Sequence, residues 1–396
     1  MLLRLSCVAA LAMVLIAQTY AQADLDSLFG PVLNNPENIP TPQPEPQYTC
    51  TGECVPYYLC SENEIITDGT GIIDIRVGAD SDVESECPNY LDTCCAKKDV
   101  LDEPPETATK PPPPNNRYTC GKRNPDGLGF KITGNKGGES EYGEFPWMVA
   151  VLKEQKTEGS VKYMYQCGGS LIAPNVVLTA AHCVASLQQN TLLARAGEWD
   201  TQTKNELYAH QNRRVREVIS HEQFKKGPLH NDVALLILDQ PFDLAEHIQP
   251  VCLPPENHNF DGSKCFASGW GTNVFGKEGK YQVILKKVEL PIVPHETCQT
   301  ALRTTRLGLR FILHPSFICA GGVSGQDTCR GDGGSPLVCP IPGNPAHYYH
   351  AGIVAWGIGC GEQGIPGVYA NVALFRDWID QQLSKRQVEA KHYTFA

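Results

Sequence analysis

Asp327-Thr-Cys-Arg-Gly-Asp-Gly-Gly-Ser-Pro-Leu337 is a glycine-rich loop that carries two carboxylates and one serine. Two earlier segments also carry chemistry. Thr179-Ala-Ala-His-Cys183 places a histidine beside a cysteine, and Asn231-Asp-Val-Ala-Leu-Leu236 places a carboxylate at the head of an apolar strand. A lone histidine or aspartate is more often a structural or surface residue. The three segments in this order form a specific set, together with Gly168-Gly169, Gly269-Trp270-Gly271 and Ala355-Trp356-Gly357.

This set resembles the chymotrypsin/trypsin family, over residues 120 to about 383. The resemblance implies a mainly β fold, a double antiparallel β-barrel of six strands each with a C-terminal helix and an active site between the barrels. It also implies that His182 matches the general base and that Asp232 matches the carboxylate that orients it.

The nucleophile does not match. The family pattern is Gly-Asp-Ser-Gly-Gly-Pro, whereas this chain has Gly333 at the serine position and a serine two residues later, at Ser335. Glycine has no hydroxyl, so no acyl-enzyme can form there. In a comparable protease, loss of the serine lowers turnover roughly a million-fold. We expect that Ser335 does not substitute for the missing nucleophile. A two-residue step along this tight turn moves a side chain by several ångströms, whereas a displacement of about 1 Å already costs much of the rate.

Other cleft residues are present by the same resemblance. Asp327 matches the acidic floor of a trypsin-like specificity pocket, with Gly357 and Gly367 as its open walls. Two interpretations stay open: the pocket binds an Arg or Lys side chain by charge pairing, or Asp327 faces water. The amides of Gly331 and Gly333 match an oxyanion site. Ala355 replaces a serine that helps to hold the aspartate in the family, so Asp232 is expected to have one partner fewer.

Composition and the first residues indicate the compartment. The chain has 396 residues and a net charge of −11, so a nucleic acid or an anionic membrane is not expected as a partner. Arg4 precedes an apolar run at residues 8–17 that is too short to span a bilayer. Ala21-Gln22-Ala23 then offers a cleavage site, so residues 1–23 are predicted to be a signal peptide and the protein to be secreted.

Cysteine usage agrees with secretion. The chain has 17 cysteines, of which Cys7 leaves with the signal peptide. The other cysteines are even in number and form two clusters, as in disulfide-bonded extracellular proteins. CxxC pairs with suitable partners are absent from the sequence, so we expect no metal, and no organic cofactor is implied.

The chain divides by composition. After the signal peptide we predict a Pro/Asn/Gln-rich leader (24–49), a cysteine-dense module (50–95), a Pro-rich linker (96–119), the protease-like domain (120–385) and a polar tail (386–396). Short apolar runs in the long domain predict strands at 148–152, 176–179, 233–238, 283–293, 352–356 and 368–372. Helical spacing is found only at 374–383, where Leu374, Trp378, Ile379 and Leu383 share a face.

The cysteine-dense module ends in an adjacent Cys-Cys pair and resembles an arthropod clip domain. Spacing alone leaves many pairings open. The clip resemblance implies the pairs Cys50–Cys94, Cys54–Cys87 and Cys60–Cys95. The protease resemblance implies Cys120–Cys252, Cys167–Cys183, Cys265–Cys339, Cys298–Cys319 and Cys329–Cys360.

Two positions are candidate cleavage sites. Arg76 lies among glycines inside the module and is the favoured site, although an ordinary strand with an exposed arginine is the alternative. Lys131 precedes Ile132-Thr-Gly134, near the place where trypsin-like zymogens are cut. The spacing from Ile132 to Pro146-Trp147 is longer than usual, so conventional activation at Lys131 is doubtful and the partner of Asp332 stays open.

Clip-domain proteins with glycine in place of the serine resemble the prophenoloxidase-activating cofactors of insect haemolymph. The resemblance implies that the protein is cut by an upstream clip-domain protease, associates with itself and assists prophenoloxidase activation in melanisation. The alternatives are a decoy that inhibits the same cascade, an active trypsin-like endopeptidase, and a protein that recognises microbial surfaces.

Overall fold

The structure, a computed structural model, describes the backbone of residues 53–56 and 92–95 and then residues 119–129, 138–157, 160–202, 206–271, 282–329 and 332–395, without the side chains of 155–162. The signal peptide, the leader, most of the linker, Arg76 and Lys131 lie outside these residues. The backbone of the cysteine-dense module contributes two antiparallel strands, β1 (Glu53–Pro56) and β2 (Asp92–Cys95). Their register pairs Cys54 with Cys94. The three disulfides expected in the module also lie outside the description.

Two closed barrels of six antiparallel strands form the long domain, so the predicted double barrel is confirmed. The first has the order β3-β4-β5-β8-β7-β6 and consists of β3 (Met148–Thr157), β4 (Ser160–Ala173), β5 (Val176–Thr179), β6 (Leu192–Ala196), β7 (Gln211–Ser220) and β8 (Ala234–Leu238). The second has the order β10-β11-β14-β13-β12-β9 and consists of β9 (Lys264–Gly269), β10 (Lys286–Val293), β11 (Phe317–Gly321), β12 (Pro336–Ile341), β13 (Asn344–Trp356) and β14 (Pro366–Asn371).

Burial explains why the short apolar runs are strands. All residues of β5 and of β8 are buried, and these two strands pair from Val176–Ile237 to Thr179–Ala234. Closure of each barrel leaves no free edge on which unpaired backbone groups would be exposed. The apolar strand centres fill the barrels, and the strand ends position the loops between them.

The helices differ in part from the prediction. The C-terminal helix is Arg376–Ser384, preceded by a 3-10 turn at Val372–Phe375. Ile379 and Leu383 are fully buried, but Leu374 is 39% exposed and does not share their face. The helix His295–Arg303 was missed, because its buried residues are only Cys298, Gln299 and Leu302. A four-residue helix, Ala181–Val184, follows β5, and two more 3-10 turns lie at Gln189–Thr191 and Ala390–His392.

Residues 386–395 pack on the domain, whereas the sequence placed them in a polar tail. Tyr393 is 2% exposed, and its carbonyl accepts a hydrogen bond of 2.8 Å from the Leu253 amide. The Arg376 guanidinium lies 5.3 Å from the centre of the Tyr393 ring. The globular fold therefore continues past residue 385, because Val388, Tyr393 and Phe395 pack on buried clusters of the domain.

Five disulfide bonds staple the described domain, and they are the five pairs that the family resemblance implies: Cys120–Cys252, Cys167–Cys183, Cys265–Cys339, Cys298–Cys319 and Cys329–Cys360. The first bond ties the N-terminal end of the domain to its body across 132 residues of sequence. Within the described residues, no helix has the length and apolar character needed to cross a membrane.

Candidate functional site

The pairing of β5 with β8 brings His182 and Asp232 together. His182 lies in the short helix after β5, and Asp232 lies two residues before the start of β8. The buried Asp232 accepts two hydrogen bonds from His182, one from the backbone amide at 2.7 Å and one from Nδ1 at 2.6 Å. Because a carboxylate only accepts, Nδ1 carries the proton, and Nε2 of a neutral ring is an acceptor. Both oxygens of Asp232 are thus satisfied without a hydroxyl at Ala355.

Position 333 faces the free side of that imidazole. A β-carbon built on Gly333 would lie 2.9 Å from Nε2 of His182 and 3.4 Å from its Cε1. The Gly333 carbonyl accepts a 2.9 Å hydrogen bond from the Gly168 amide, which fixes the loop. Nε2 also lies 3.5 Å from Sγ of Cys183. Position 333 therefore lies where a nucleophile would meet the base, and it offers no functional group.

Ser335 lies behind the loop. The residue is fully buried, and its Oγ has no hydrogen-bond partner among the described residues. A β-carbon on Gly168 would overlap that Oγ, and one on Gly269 would lie 3.1 Å from it. The hydroxyl thus points into the protein, where no substrate can reach it.

Asp332 binds two backbone amides, which answers the question that the sequence left open. Its Oδ1 accepts from the Gly271 amide and its Oδ2 from the Cys329 amide, each at 2.8 Å. Side chains at Gly269 or Gly271 would overlap the carboxylate. Burial raises the pKa of Asp332 to about 6, although the two amides lower it.

Asp327 lies in a recess bounded by glycines. Its Oδ1 accepts from the Thr328 amide at 2.8 Å and its Oδ2 from the Gly361 amide at 3.1 Å. A β-carbon on Gly367 would lie 2.9 Å from Oδ1, whereas one on Gly357 would have 3.5 Å to its nearest neighbour. Burial raises the pKa of Asp327 to about 6. The carboxylate is partly buried and bound by backbone amides, and its role in a specificity pocket stays a prediction. Gly331, the other expected oxyanion donor, lies outside the described residues.

Two ionisable sites were not predicted from the sequence, a single histidine and a cluster of three residues. His350 is fully buried in β13, and its Nδ1 lies 3.0 Å from Oγ of Ser170. Burial lowers the pKa of His350 to about 3. The signal in the sequence was a histidine directly before the apolar run 351–355.

The second site is a cluster of Glu198, Glu206 and His210, whose possible metal-binding atoms all lie within 4.8 Å of one another. Burial raises the pKa of Glu206 to about 9, with the charge of Glu198 as the next cause. Arg195 pairs with Glu198 at 2.9 Å and supplies a positive charge of the protein's own. Local sequence gave no sign of this cluster, because Glu206 and His210 reach Glu198 only through the fold of the β6–β7 connection.

Two family models match the chain. The Trypsin model matches residues 135–379, and the model described as Serine protease Clip domain PPAF-2 matches residues 41–96. The second match covers the cysteine-dense module and part of the segment before it.

Curated proteins of insects are similar to this chain over most of its length. The chain is 56% identical over 299 residues to phenoloxidase-activating factor 2 of Galleria mellonella, covering 74% of this chain and 98% of the relative. It is 38% identical over 333 residues to inactive CLIP domain-containing serine protease A8 of Anopheles gambiae, covering 83% and 88%. It is 34% identical over 281 residues to phenoloxidase-activating factor 3 of Holotrichia diomphalia, covering 67% and 75%.

Proposed function

Because this chain belongs to the trypsin family and carries a clip domain before its trypsin-like domain, we propose that it is a secreted, non-catalytic cofactor of a clip-protease cascade that activates prophenoloxidase. The names of its relatives support this cascade, since two are phenoloxidase-activating factors and one is an inactive clip-domain protease. The observation that carries the proposal is the His182–Asp232 pair facing Gly333.

The absence of a nucleophile supports a binding role over catalysis. His182 is oriented by Asp232 as a base, but Gly333 gives it no hydroxyl to deprotonate. Ser335 is buried and faces away from the cleft. A water positioned by His182 would be far too slow a nucleophile for a protease's task.

The rest of the cleft is suited to binding. The recess of Asp327, Gly357 and Gly367 fits the cationic end of an Arg or Lys side chain from a partner. Prophenoloxidase or phenoloxidase and an upstream clip-domain protease are the proposed partners, with self-association after cleavage. Cleavage at Arg76 is the proposed switch, and Lys131 is the second candidate.

Reconstitution tests the cofactor role. Prophenoloxidase is mixed with an activating clip protease, with and without this protein, and phenoloxidase activity is measured while cleavage at Arg76 is followed in the same tubes. We expect a large rise in activity that requires the cut form, and we expect Arg76→Gln to abolish both cleavage and the rise. A fall in activity would favour a decoy.

A separate assay tests for catalysis. The processed protein is incubated with arginyl and lysyl amides beside its Ser335→Ala variant. We expect no turnover from either protein. Clear turnover by the parent protein that Ser335→Ala removes would identify an active endopeptidase and overturn the non-catalytic assignment.

A further inference from the structure

The loop 304–312, between the helix His295–Arg303 and β11, carries the most exposed large apolar side chains of the described residues. Leu309 is 84% exposed and Ile312 is 74% exposed. Single exposed apolar residues are common, but a group of them is a feature of binding surfaces. Two such side chains within four residues therefore require an explanation.

The loop is anchored, so this exposure is built into the fold. Nε of Arg303 donates a 2.7 Å hydrogen bond to the Phe311 carbonyl, and the Leu313 amide donates one of 2.9 Å to the Gln299 side chain. Leu307 and Phe311 pack against a buried cluster that includes Leu302 and Phe317. The inward-facing residues thus hold the loop while Leu309 and Ile312 remain outside.

The same loop carries two positive charges that have no partner among the described residues. Arg306 and Arg310 are exposed, and neither forms an ion pair or hydrogen bond with another residue in the part of the chain that the structure describes. The chain as a whole has a net charge of −11. A basic and apolar loop on an acidic protein is complementary to an acidic segment that also offers apolar side chains.

We propose that the loop 304–312 is the docking surface for this chain's own acidic segment, residues 80–86. That segment reads Asp80-Ser-Asp-Val-Glu-Ser-Glu86, and no lysine or arginine lies between Arg76 and Lys97. Its carboxylates pair with Arg306 and Arg310, and Val83 packs against Leu309 or Ile312.

Chain length permits docking within one molecule. Residues 96–119 alone can extend to roughly 75 Å, whereas a domain of this size measures about 50 Å across. The inference deepens the proposed function, because cleavage at Arg76 would free the segment from the chain that precedes it.

Peptide binding tests the proposal without phenoloxidase, so that its failure is distinguishable from failure of the cofactor role. A fluorescent peptide of residues 77–86 is titrated into four full-length proteins and followed by anisotropy. The first is the unaltered chain, and the second carries Asp80→Asn, Asp82→Asn, Glu84→Gln and Glu86→Gln. The third adds Arg306→Gln and Arg310→Gln to the second. The fourth is the matched control, which adds to the second protein the change Arg216→Gln at an exposed arginine of β7.

We expect the second protein and its Arg216→Gln control to bind the peptide, and the unaltered chain to bind it about tenfold more weakly because its own segment competes. The third protein should not bind the peptide. Raising the salt concentration from about 50 to about 300 mM should weaken the binding of the peptide to the second protein. Equal binding by all four proteins would overturn the proposal. Size-exclusion chromatography distinguishes docking within one molecule from docking between two. If the unaltered chain is a dimer and the second protein, with its four carboxylates replaced by amides, is a monomer, docking within one molecule is overturned and the surface binds a second copy.

Discussion

Nε2 of His182 lies 2.9 Å from the place that a β-carbon on residue 333 would occupy, and Gly333 has none. The imidazole is held on its other side by a 2.6 Å hydrogen bond to Asp232. It therefore fills space that a serine side chain would need.

Replacement of Gly333 by serine should therefore restore little activity. A β-carbon there pushes His182 by a few tenths of an ångström, and small misplacements of catalytic groups lower the rate strongly. We expect Gly333→Ser to hydrolyse an arginyl amide at least about a thousandfold more slowly than an active family member. Both Gly333→Ser and Gly333→Ala should lose about 1 kcal/mol of stability to overpacking.

Amide hydrolysis and thermal melting of the two variants check this prediction. Gly333→Ala supplies the β-carbon without the hydroxyl and is the control. Vigorous turnover by Gly333→Ser at an unchanged Tm would mean that His182 moves aside without cost, and that only the hydroxyl is missing.

The features that could be predicted from the sequence are those that only a few residue types can form. The double barrel, its disulfide pairs and the places of His182, Asp232 and Gly333 depend on residues that few others can replace. The partner of Asp332 was not predictable, because backbone amides of Gly271 and Cys329 have no signature in the sequence. The docking of the C-terminal segment was missed for a related reason, since Tyr393 and Phe395 act only through long-range packing.

Ser335→Ala should stabilise the protein. The Ser335 hydroxyl is buried without a hydrogen-bond partner among the described residues, and a buried unpaired polar group costs free energy. We expect the free energy of unfolding to rise by about 1 kcal/mol, measured by thermal or denaturant unfolding. Ser170→Ala is the matched control, because its equally buried hydroxyl lies 3.0 Å from His350 and its removal should destabilise. A lower Tm for Ser335→Ala would show that its hydroxyl has a partner.

The recess at Asp327 should bind an organic cation in a pH-dependent manner. Burial raises the pKa of Asp327 to about 6, so the carboxylate is ionised above that pH and protonated below it. Only the ionised form attracts a cation. We expect benzamidine to bind about tenfold more weakly at about pH 5 than at about pH 7.5. Calorimetric titration measures the affinity.

Two variants test whether Asp327 is the group that binds benzamidine. Asp327→Asn should abolish the binding of benzamidine at both pH values. Asp261→Asn, a change at an exposed carboxylate elsewhere in the domain, should leave it unaltered. Binding that persists in Asp327→Asn would place the cation at another site.

His350 should make the protein sensitive to acid. Burial lowers its pKa from 6.5 to about 3, so the unfolded chain takes up a proton at a higher pH than the folded protein does. The contribution to stability is complete above pH 6.5 and is lost as the pH falls towards 3, by up to about 1.4 kcal/mol per pH unit. His350→Gln keeps a hydrogen-bonding group for Ser170 but does not titrate. We therefore expect its acid-unfolding midpoint, followed by circular dichroism, to lie at a lower pH than that of the parent protein. Identical midpoints would mean that other groups, such as the buried carboxylates, control acid unfolding.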